Sequence, residues 1–444
     1  MSLDLVNDER PVTSVDELVA WFKGAERPRD RHRIGLEHEK FIYPRSGIHA
    51  VPYDGERGIG ALLHALEARG HMPYREAPDL PVIALMKDAL TLSLEPGGQF
   101  ELSGSPFFTA REAHAENAAH LSELRDAAES LRLYPVALGY RPFDEIDEMP
   151  WMPKTRYRVM RESLPRRGGL AKDMMLMTST GQVSLDWESE ADCVRKVVVS
   201  ARLTPILVAL YANSPLVRGK PSGYLSYRSH VWTDVDSTRC GFLPSMFDNS
   251  FSYSAYVEWA LDAPLLFLRR EGEYLRPELT FRELLQNGYD GKPATFGDWE
   301  DHLSTLFPEV RIKKVVEIRG ADCVNEPLTG ALAALWRGIL YDPTALGDAA
   351  RILPPLSYSQ HLELMEVARK DGLRGEYEKI SLAGVARELV EVARRGLKSL
   401  DPEDAPLLDP LAEVAASGRS PADEVLRAWE EEKNPAKLLA RFAL

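Results

Sequence analysis

The order of strand-like and helix-like segments constrains the fold of this sequence more than any other feature. Strand patterns fall at Arg33–Tyr43, Leu92–Leu102, Met174–Trp187, Pro264–Arg269 and Arg311–Arg319. Single helices do not separate these stretches regularly, as they would in a doubly wound parallel sheet. The order predicts an α/β or α+β sheet with helices packed onto it.

Helical patterns occur between the strands and continue to the C-terminus. The predicted helices run from Thr109 to about Arg132, from Ser189 to Ala212, and from Leu328 to Leu340. Ser14–Glu17 and Thr109–Glu112 have capping-box spacing, which marks the start of a helix. From about Tyr358 onward only helical patterns remain. We expect a single domain over residues 1–444, in which about 357–444 is an all-helical section.

Composition excludes several classes of protein. The net charge of −14 argues against a nucleic-acid binder or a protein bound to an anionic membrane, because both need a basic surface. The longest apolar stretch, Val197 to Leu216, is interrupted by Arg202, Thr204 and Pro205. It therefore predicts a buried helix rather than a membrane span.

The three cysteines are far apart, and none forms a CxxC pair. Such a sparse, odd number is typical of a reducing compartment and gives neither a disulfide framework nor a zinc site. The first residues, MSLDLVNDERPV, lack the apolar segment of a signal peptide. We expect a cytoplasmic protein.

Two pairs of glutamates lie on predicted strands. In GLEHEKF, Glu37 and Glu39 share one strand face, and His38 points to the other. In LEPGGQFEL, Glu95 and Glu101 would share a face of a regular strand, although Pro-Gly-Gly could instead form a bulge or a turn. Adjacent carboxylates repel unless a cation lies between them. The alternative for each pair is an ordinary solvated surface.

A fifth glutamate lies beside an arginine in VVEIRG. Val316 and Ile318 would face the core, so Glu317 and Arg319 share the opposite face. A surface ion pair is the alternative. Taken together, five glutamates on strands offer the hard oxygen ligands that Mg²⁺ or Mn²⁺ prefers. An arginine beside them suits phosphoryl transfer, which depends on positioning and charge neutralisation.

The usual nucleotide-binding and hydrolase motifs are missing, including GxxxxGK[ST], HExxH and GxSxG. If ATP is used, a scaffold of carboxylates and metal must hold it. The basic stretch Lys154–Lys172 could meet phosphates or a substrate carboxylate, or form a mobile, solvated loop. In the segment that follows, Gln182, Ser184 and Asp186 share one strand face, and the methionines are predicted core residues.

These motifs together resemble the plant-type glutamate–cysteine ligases, which also occur in proteobacteria. The resemblance rests on GLEHEKF, LEPGGQFELSG, MPKTRYRVM, DMMLMTSTGQVSLD, SEADCVRK, ANSPLVRGKPSGYLSYRSHVWTDVDSTRCGFLP, DWEDHLSTLFPEVRIKKVVEIRGAD and LWRGILYD, in order over about residues 30–345. It implies an α+β fold with a curved, antiparallel, glutamine-synthetase-like catalytic sheet. It also implies ligation of cysteine to the γ-carboxylate of glutamate through γ-glutamyl phosphate, the first step of glutathione biosynthesis. ATP is then a co-substrate and Mg²⁺ or Mn²⁺ the cofactor.

The resemblance also assigns residues to roles. The implied metal ligands are Glu37, Glu39, Glu95, Glu101 and Glu317. The implied ATP-binding residues are Arg319 and Gln182, and Arg319 and Glu317 are the implied catalytic residues. The implied substrate-binding residues are Arg228, Arg239, Trp232 and Trp336. A buried arginine paired with Asp234 or Asp236, and tryptophans in the core, are the alternatives for this last group.

The sequence departs from the plant pattern at Ser184, where plant enzymes have asparagine, and at Pro277, where they have a cysteine. The plant redox hairpin therefore cannot form, so we expect no switching by oxidation. Two other functions stay open: a carboxylate–amine ligase with a different amine acceptor, and a catalytically silent protein that binds nucleotide and glutamate. We expect a monomer or a homodimer.

Overall fold

The computed structural model describes residues 8–444. The strands are β1 Ile34–Pro44, β2 Met72–Tyr74, β3 Ala84–Lys87, β4 Leu90–Leu94, β5 Phe100–Ser103, β6 Leu133–Val136, β7 Thr180–Leu185, β8 Leu216–Val217, β9 Lys220–Pro221, β10 Cys240–Gly241, β11 Leu268–Arg270, β12 Glu273–Leu275, β13 Phe307–Pro308, β14 Val310–Ile312, β15 Val316–Asp322, β16 Glu376–Tyr377 and β17 Ile380–Ser381. The α-helices are α1 Val15–Lys23, α2 Ile59–Glu67, α3 Ala110–Ser130, α4 Thr155–Ser163, α5 Ala171–Met177, α6 Glu190–Tyr211, α7 Tyr227–Val231, α8 Tyr253–Asp262, α9 Phe281–Asn287, α10 Phe296–Ser304, α11 Leu328–Tyr341, α12 Pro343–Ile352, α13 Tyr358–Asp371, α14 Leu382–Leu400, α15 Asp409–Ser417, α16 Pro421–Glu432 and α17 Pro435–Arg441.

The main sheet has nine strands in the order β14-β15-β7-β1-β5-β4-β3-β2, with β6 paired to the second half of β1. Its neighbouring strands are antiparallel throughout. The long central strand β1 pairs with β7 and β5 through its first half, which is where the acidic motif lies. The α+β class and the antiparallel sheet that the resemblance implied are confirmed.

The largest apolar core contains the buried faces of α6 and α11 together with inward residues of β7, β14 and β15. Helix α11 packs closely on α14 because two glycines meet there. A Cβ atom added at Gly396 would lie 2.0 Å from the carbonyl oxygen of Gly338. This contact fixes the C-terminal helices on the rest of the core.

The C-terminal section is helical except for one short ladder. Strands β16 and β17 contribute two residues each, so this section is not entirely helical as predicted. No helix within residues 8–444 is long and apolar enough to cross a membrane. The buried-helix interpretation of the apolar stretch after Val197 agrees with α6, whose residues there are mostly buried.

Several strand predictions joined segments that the chain keeps separate. Met174–Trp187 is not one strand, because its methionines lie in α5 and only Thr180–Leu185 is extended. Arg311–Arg319 is a hairpin of β14 and β15, closed by a bond from the Lys313 amide to the Val315 carbonyl. Leu92–Leu102 likewise divides into β4 and β5, and Pro264–Arg269 becomes extended only at Leu268.

Candidate active site

Strand register brings the predicted acids to one face of the sheet. Glu39 on β1 lies directly opposite Glu101 on β5, and Glu37 lies opposite Gln182 on β7. Glu317 on β15 pairs with the next alternate residue of β7, Ser184. Directly opposed residues of neighbouring strands share a face, and Glu37, Glu39, Glu101 and Gln182 line one cavity. Glu317 lies beside this cavity and pairs with two residues that line it, Arg311 and Arg319.

Glu95 reaches the same cavity through a turn. The Glu95 amide donates a hydrogen bond to the Gln99 carbonyl, and the Gly98 amide donates one to the Glu95 carbonyl. Gly98 has φ +80°, a conformation that glycine adopts without strain. The Gln99 side chain accepts from the Gly97 amide at 2.9 Å and donates to the Thr178 carbonyl at 2.8 Å. The Pro-Gly-Gly segment is therefore a turn fixed by Gln99.

The carboxylates in this cavity are close enough to change each other's protonation. Burial and the charge of Glu101 raise the pKa of Glu39 to about 8. Burial, Glu101 and Glu39 raise the pKa of Glu95 well above its usual range. Burial and Glu317 also raise the pKa of Glu37. Each shift reports the cost of placing several negative charges in one partly dehydrated space.

The donor set fits a hard divalent cation. Buried Oε1 of Glu95 has no hydrogen-bond partner, and the carboxyl groups of Glu39 and Glu101 lie on directly opposed residues. Oxygen ligands of this type are those that Mg²⁺ and Mn²⁺ prefer. Within residues 8–444, no three acidic, histidine or cysteine side chains form a ready-made metal cluster.

Glu317 differs from the other four acids because three cations surround it. Its carboxylate contacts Arg311 at 2.5 Å, Arg319 at 2.8 Å and Lys313 at 3.2 Å. Burial alone would raise the pKa of Glu317, but the positive charges of Arg311, Lys313 and Arg319 hold this pKa well below its usual range. Glu317 therefore orients Arg311 and Arg319 in this structure. The role of Glu317 as a metal ligand stays a prediction.

Arg319 is held by three neighbours at the edge of the cavity. Its Nη1 donates to Gln182 Oε1 at 2.6 Å and to Glu317 at 2.8 Å. Its guanidinium lies 5.9 Å from the ring centre of Trp232. The Arg319 carbonyl accepts a 3.0 Å bond from Arg228, which also lines the cavity. Gln182, Arg228, Trp232 and Arg319 are therefore brought together in one cavity, and the roles that the resemblance assigned to them stay predictions.

Arg156 lines the cavity and belongs to the basic stretch Lys154–Lys172, for which the sequence left open either an anion contact or a solvated loop. Helix α4 covers Thr155–Ser163 of this stretch, and Arg156 is 3% exposed, with Nη2 donating to Ser304 Oγ at 3.0 Å. Its Nε is buried without a hydrogen-bond partner, and its guanidinium lies 5.3 Å from the Phe267 ring centre. The signal was present in MPKTRYRVM, one of the segments that carry the resemblance. Arg311 was missed, because its role depends on pairing across a hairpin.

Two predicted substrate-binding residues do not line this cavity. The guanidinium of Arg239 pairs with Asp236 at 2.7 Å and donates to the carbonyls of Thr305 and Pro264. Trp336 is fully buried in α11, in the core behind the sheet. These positions match the alternatives of a paired buried arginine and a core tryptophan.

Comparison with known proteins identifies the family. The model of Glutamate-cysteine ligase family 2 (GCS2) matches residues 33–439. The chain belongs to this family. Its membership confirms the resemblance seen in the motifs, and with it the prediction that the protein is a ligase.

Curated relatives extend over nearly the whole chain. The chloroplastic glutamate–cysteine ligase of Brassica juncea is 38% identical over 95% of this chain and 82% of the relative. That of Arabidopsis thaliana is 38% identical over 95% of this chain and 81% of the relative. The cytoplasmic location expected from the sequence is corrected by this finding, because these relatives are named as chloroplastic proteins.

One solved structure shares the fold at much lower identity. The glutamate–cysteine ligase of Francisella tularensis, solved in complex with AMP, has a TM-score of 0.60 and 13% identity. The match covers 93% of this chain and 88% of that structure. This likeness supports the α+β architecture, in which helices surround an open antiparallel sheet.

Proposed function

We propose that this chain joins L-cysteine to the γ-carboxylate of L-glutamate, with ATP as the phosphoryl donor and γ-glutamyl phosphate as the intermediate. This reaction is the first step of glutathione biosynthesis. The observation that carries the proposal is a single cavity in which glutamates on β1, the β4–β5 turn and β5 face arginines on α4, α7 and β15. The relatives named glutamate–cysteine ligase support the substrates, and the Francisella structure with AMP supports a nucleotide.

The opposed charges of this cavity suit the chemistry. A carboxylate is a poor electrophile, and phosphorylation supplies it with a leaving group. Both glutamate and ATP are anions, so their approach requires positive charge in the site. Arg319, fixed by Gln182 and Glu317, is proposed to contact the ATP phosphates. Arg228 is proposed to bind a carboxylate of glutamate.

Four acids are proposed to hold Mg²⁺ or Mn²⁺: Glu37, Glu39, Glu95 and Glu101. When bound, the cation offsets charge on the phosphate oxygens. Buried Arg156, whose Nε has no partner, is proposed to bind a substrate anion from the α4 side. The cysteine amine attacks in its neutral form and phosphate leaves, which completes the amide bond.

The test is ADP release at fixed glutamate, with a panel of amino acids and simple amines as acceptors. We expect release to require a divalent cation, glutamate and acceptor together, with cysteine giving the highest kcat/KM. A preference for an unrelated amine would identify a different carboxylate–amine ligase. Nucleotide binding without turnover under every condition would identify a silent binding protein.

A matched pair of variants links the activity to the cavity. Glu101→Gln removes one charge from the acid set and should lower kcat by about a hundredfold, comparable to the loss of a main electrostatic contact. Glu413→Gln makes the same change on the exposed face of α15 and should leave kcat unaltered. Equal activity of the two variants would contradict the assignment of the acids.

A further inference from the structure

A buried carboxylate lies behind the cavity, at the end of β15. Asp322 is 1% exposed, and it accepts hydrogen bonds from the Asn213 amide at 2.8 Å, Ser214 Oγ at 2.6 Å and Ser226 Oγ at 2.8 Å. Asn213 and Ser214 follow α6, and Ser226 precedes α7. One carboxylate on β15 therefore holds together the residues that follow α6 and the residue that precedes α7.

The hydroxyls of Ser214 and Ser226 connect Asp322 to the backbone of the first turn of α7. Because each hydroxyl donates its proton to Asp322, its lone pairs are left to accept from backbone amides. Ser214 Oγ accepts from the Arg228 amide at 3.0 Å, and Ser226 Oγ accepts from the Ser229 amide at 3.2 Å. The backbone of Arg228 is thus fixed by a hydroxyl that Asp322 itself orients.

Asp322 also acts on the side chain of Arg228. Its Oδ1 lies 3.9 Å from Arg228 Nη1, which is an ion pair without a hydrogen bond. Arg228 Nη2 donates to the Arg319 carbonyl at 3.0 Å. The carboxylate thus attracts the guanidinium without hydrogen-bonding to it, so Arg228, which lines the cavity, keeps donors for a ligand there.

We propose that Asp322 is a positioning residue for glutamate binding, which it supports by fixing both the backbone and the guanidinium of Arg228. This inference rests on the proposed function, in which Arg228 binds a carboxylate of glutamate. Asp322 does not line the cavity, so its removal should affect glutamate affinity more than the chemical step.

The test is steady-state kinetics of Asp322→Asn with each substrate varied in turn. We expect the KM for glutamate to rise about tenfold, the scale of one weakened charge-assisted hydrogen bond. The kcat value and the KM values for ATP and cysteine should change less than about threefold, because Asp322 acts only through Arg228. Ser226→Ala, which keeps the carboxylate, should raise the glutamate KM by a smaller factor and serves if Asp322→Asn fails to fold.

Asp404→Asn is the matched control. Asp404 is also fully buried, and it accepts from the Ala110 amide at 2.8 Å and from Arg337 at 2.9 Å, away from the cavity. It should lower thermal stability without changing the glutamate KM. If Asp322→Asn raises all three KM values together, or lowers kcat alone, its role is structural and the proposal is overturned.

A double-mutant cycle with Arg228→Lys tests the positioning role of Asp322 separately from the glutamate-binding role of Arg228. Arg228→Lys should raise the glutamate KM, and adding Asp322→Asn should then have little further effect, because both changes act on one interaction. Fully additive effects would overturn the positioning role while leaving the proposed function intact. An unchanged glutamate KM in Arg228→Lys itself would overturn the binding role of Arg228, and the inference about Asp322 with it.

Discussion

Replacing Glu39 with glutamine should make the metal-free protein more stable at high pH while it removes activity. Glu39 lies opposite Glu101 in a partly dehydrated cavity, and its pKa is raised to about 8 from its usual 4.5. An acid whose folded-state pKa is raised stabilises the fold fully below its unfolded pKa and loses that contribution as pH rises through the folded value. The relevant window is therefore about pH 4.5 to 8.

The pKa difference sets the scale of the effect. At 1.36 kcal/mol for each pKa unit, the ionised Glu39 side chain costs at most about 5 kcal/mol above pH 8. Glu39→Gln is neutral at every pH, so it should match the wild type near pH 4.5 and exceed it by about 2 kcal/mol or more at pH 9. Activity should fall by about a hundredfold, because a proposed metal ligand is lost.

Urea unfolding in EDTA at pH 5 and pH 9 measures this difference, with Glu413→Gln as the exposed control. Added Mg²⁺ should then stabilise the wild type at pH 9 more than it stabilises Glu39→Gln. Two results would refute the reasoning. One is a variant less stable than the wild type at pH 9, which would make Glu39 structural, and the other is full activity in the variant.

Three further predictions follow from the same cavity and its surroundings. Glu317→Gln should destabilise the fold, in contrast to Glu39→Gln, and lower the free energy of unfolding in urea by about 3 kcal/mol, because it leaves buried cations unpaired. A free energy of unfolding equal to that of the wild type would contradict this. Arg156→Met should keep the melting temperature and lower kcat/KM about a hundredfold, as expected for a lost anion contact; unaltered kinetics would show that Arg156 only packs. The protein should have the same activity and three free thiols after equilibration with oxidised or with reduced dithiothreitol. The reason is that burial raises the pKa of Cys240 and of Cys323 to about 12, and Cys193 is also buried. Reversible activation on oxidation, with two thiols lost, would reveal a thiol switch.

The sequence by itself determined those features that depend on neighbours along the chain. Helix α3 begins at a capping box, as Thr109 and Glu112 predict, and α11 begins at Leu328 as its apolar pattern predicts. The shared face of Glu317 and Arg319 follows from the two-residue period of a strand, whatever the strand pairs with. Ordered motifs over most of the chain were also enough to indicate the family, which the family model then confirmed.

Only the tertiary structure decided which side chains meet. Glu39 faces Glu101 because β1 and β5 pair in one register, and a slip of one residue would have turned these side chains to opposite faces. Arg156 enters the cavity from a helix outside the sheet, a placement that the periodicity of its own segment does not specify. Arg239 is instead satisfied by Asp236 and two carbonyls, although its local sequence resembles that of a binding residue. Strand periodicity acts between neighbours in sequence, whereas register, helix docking and the choice of ion-pair partner depend on how distant segments pack.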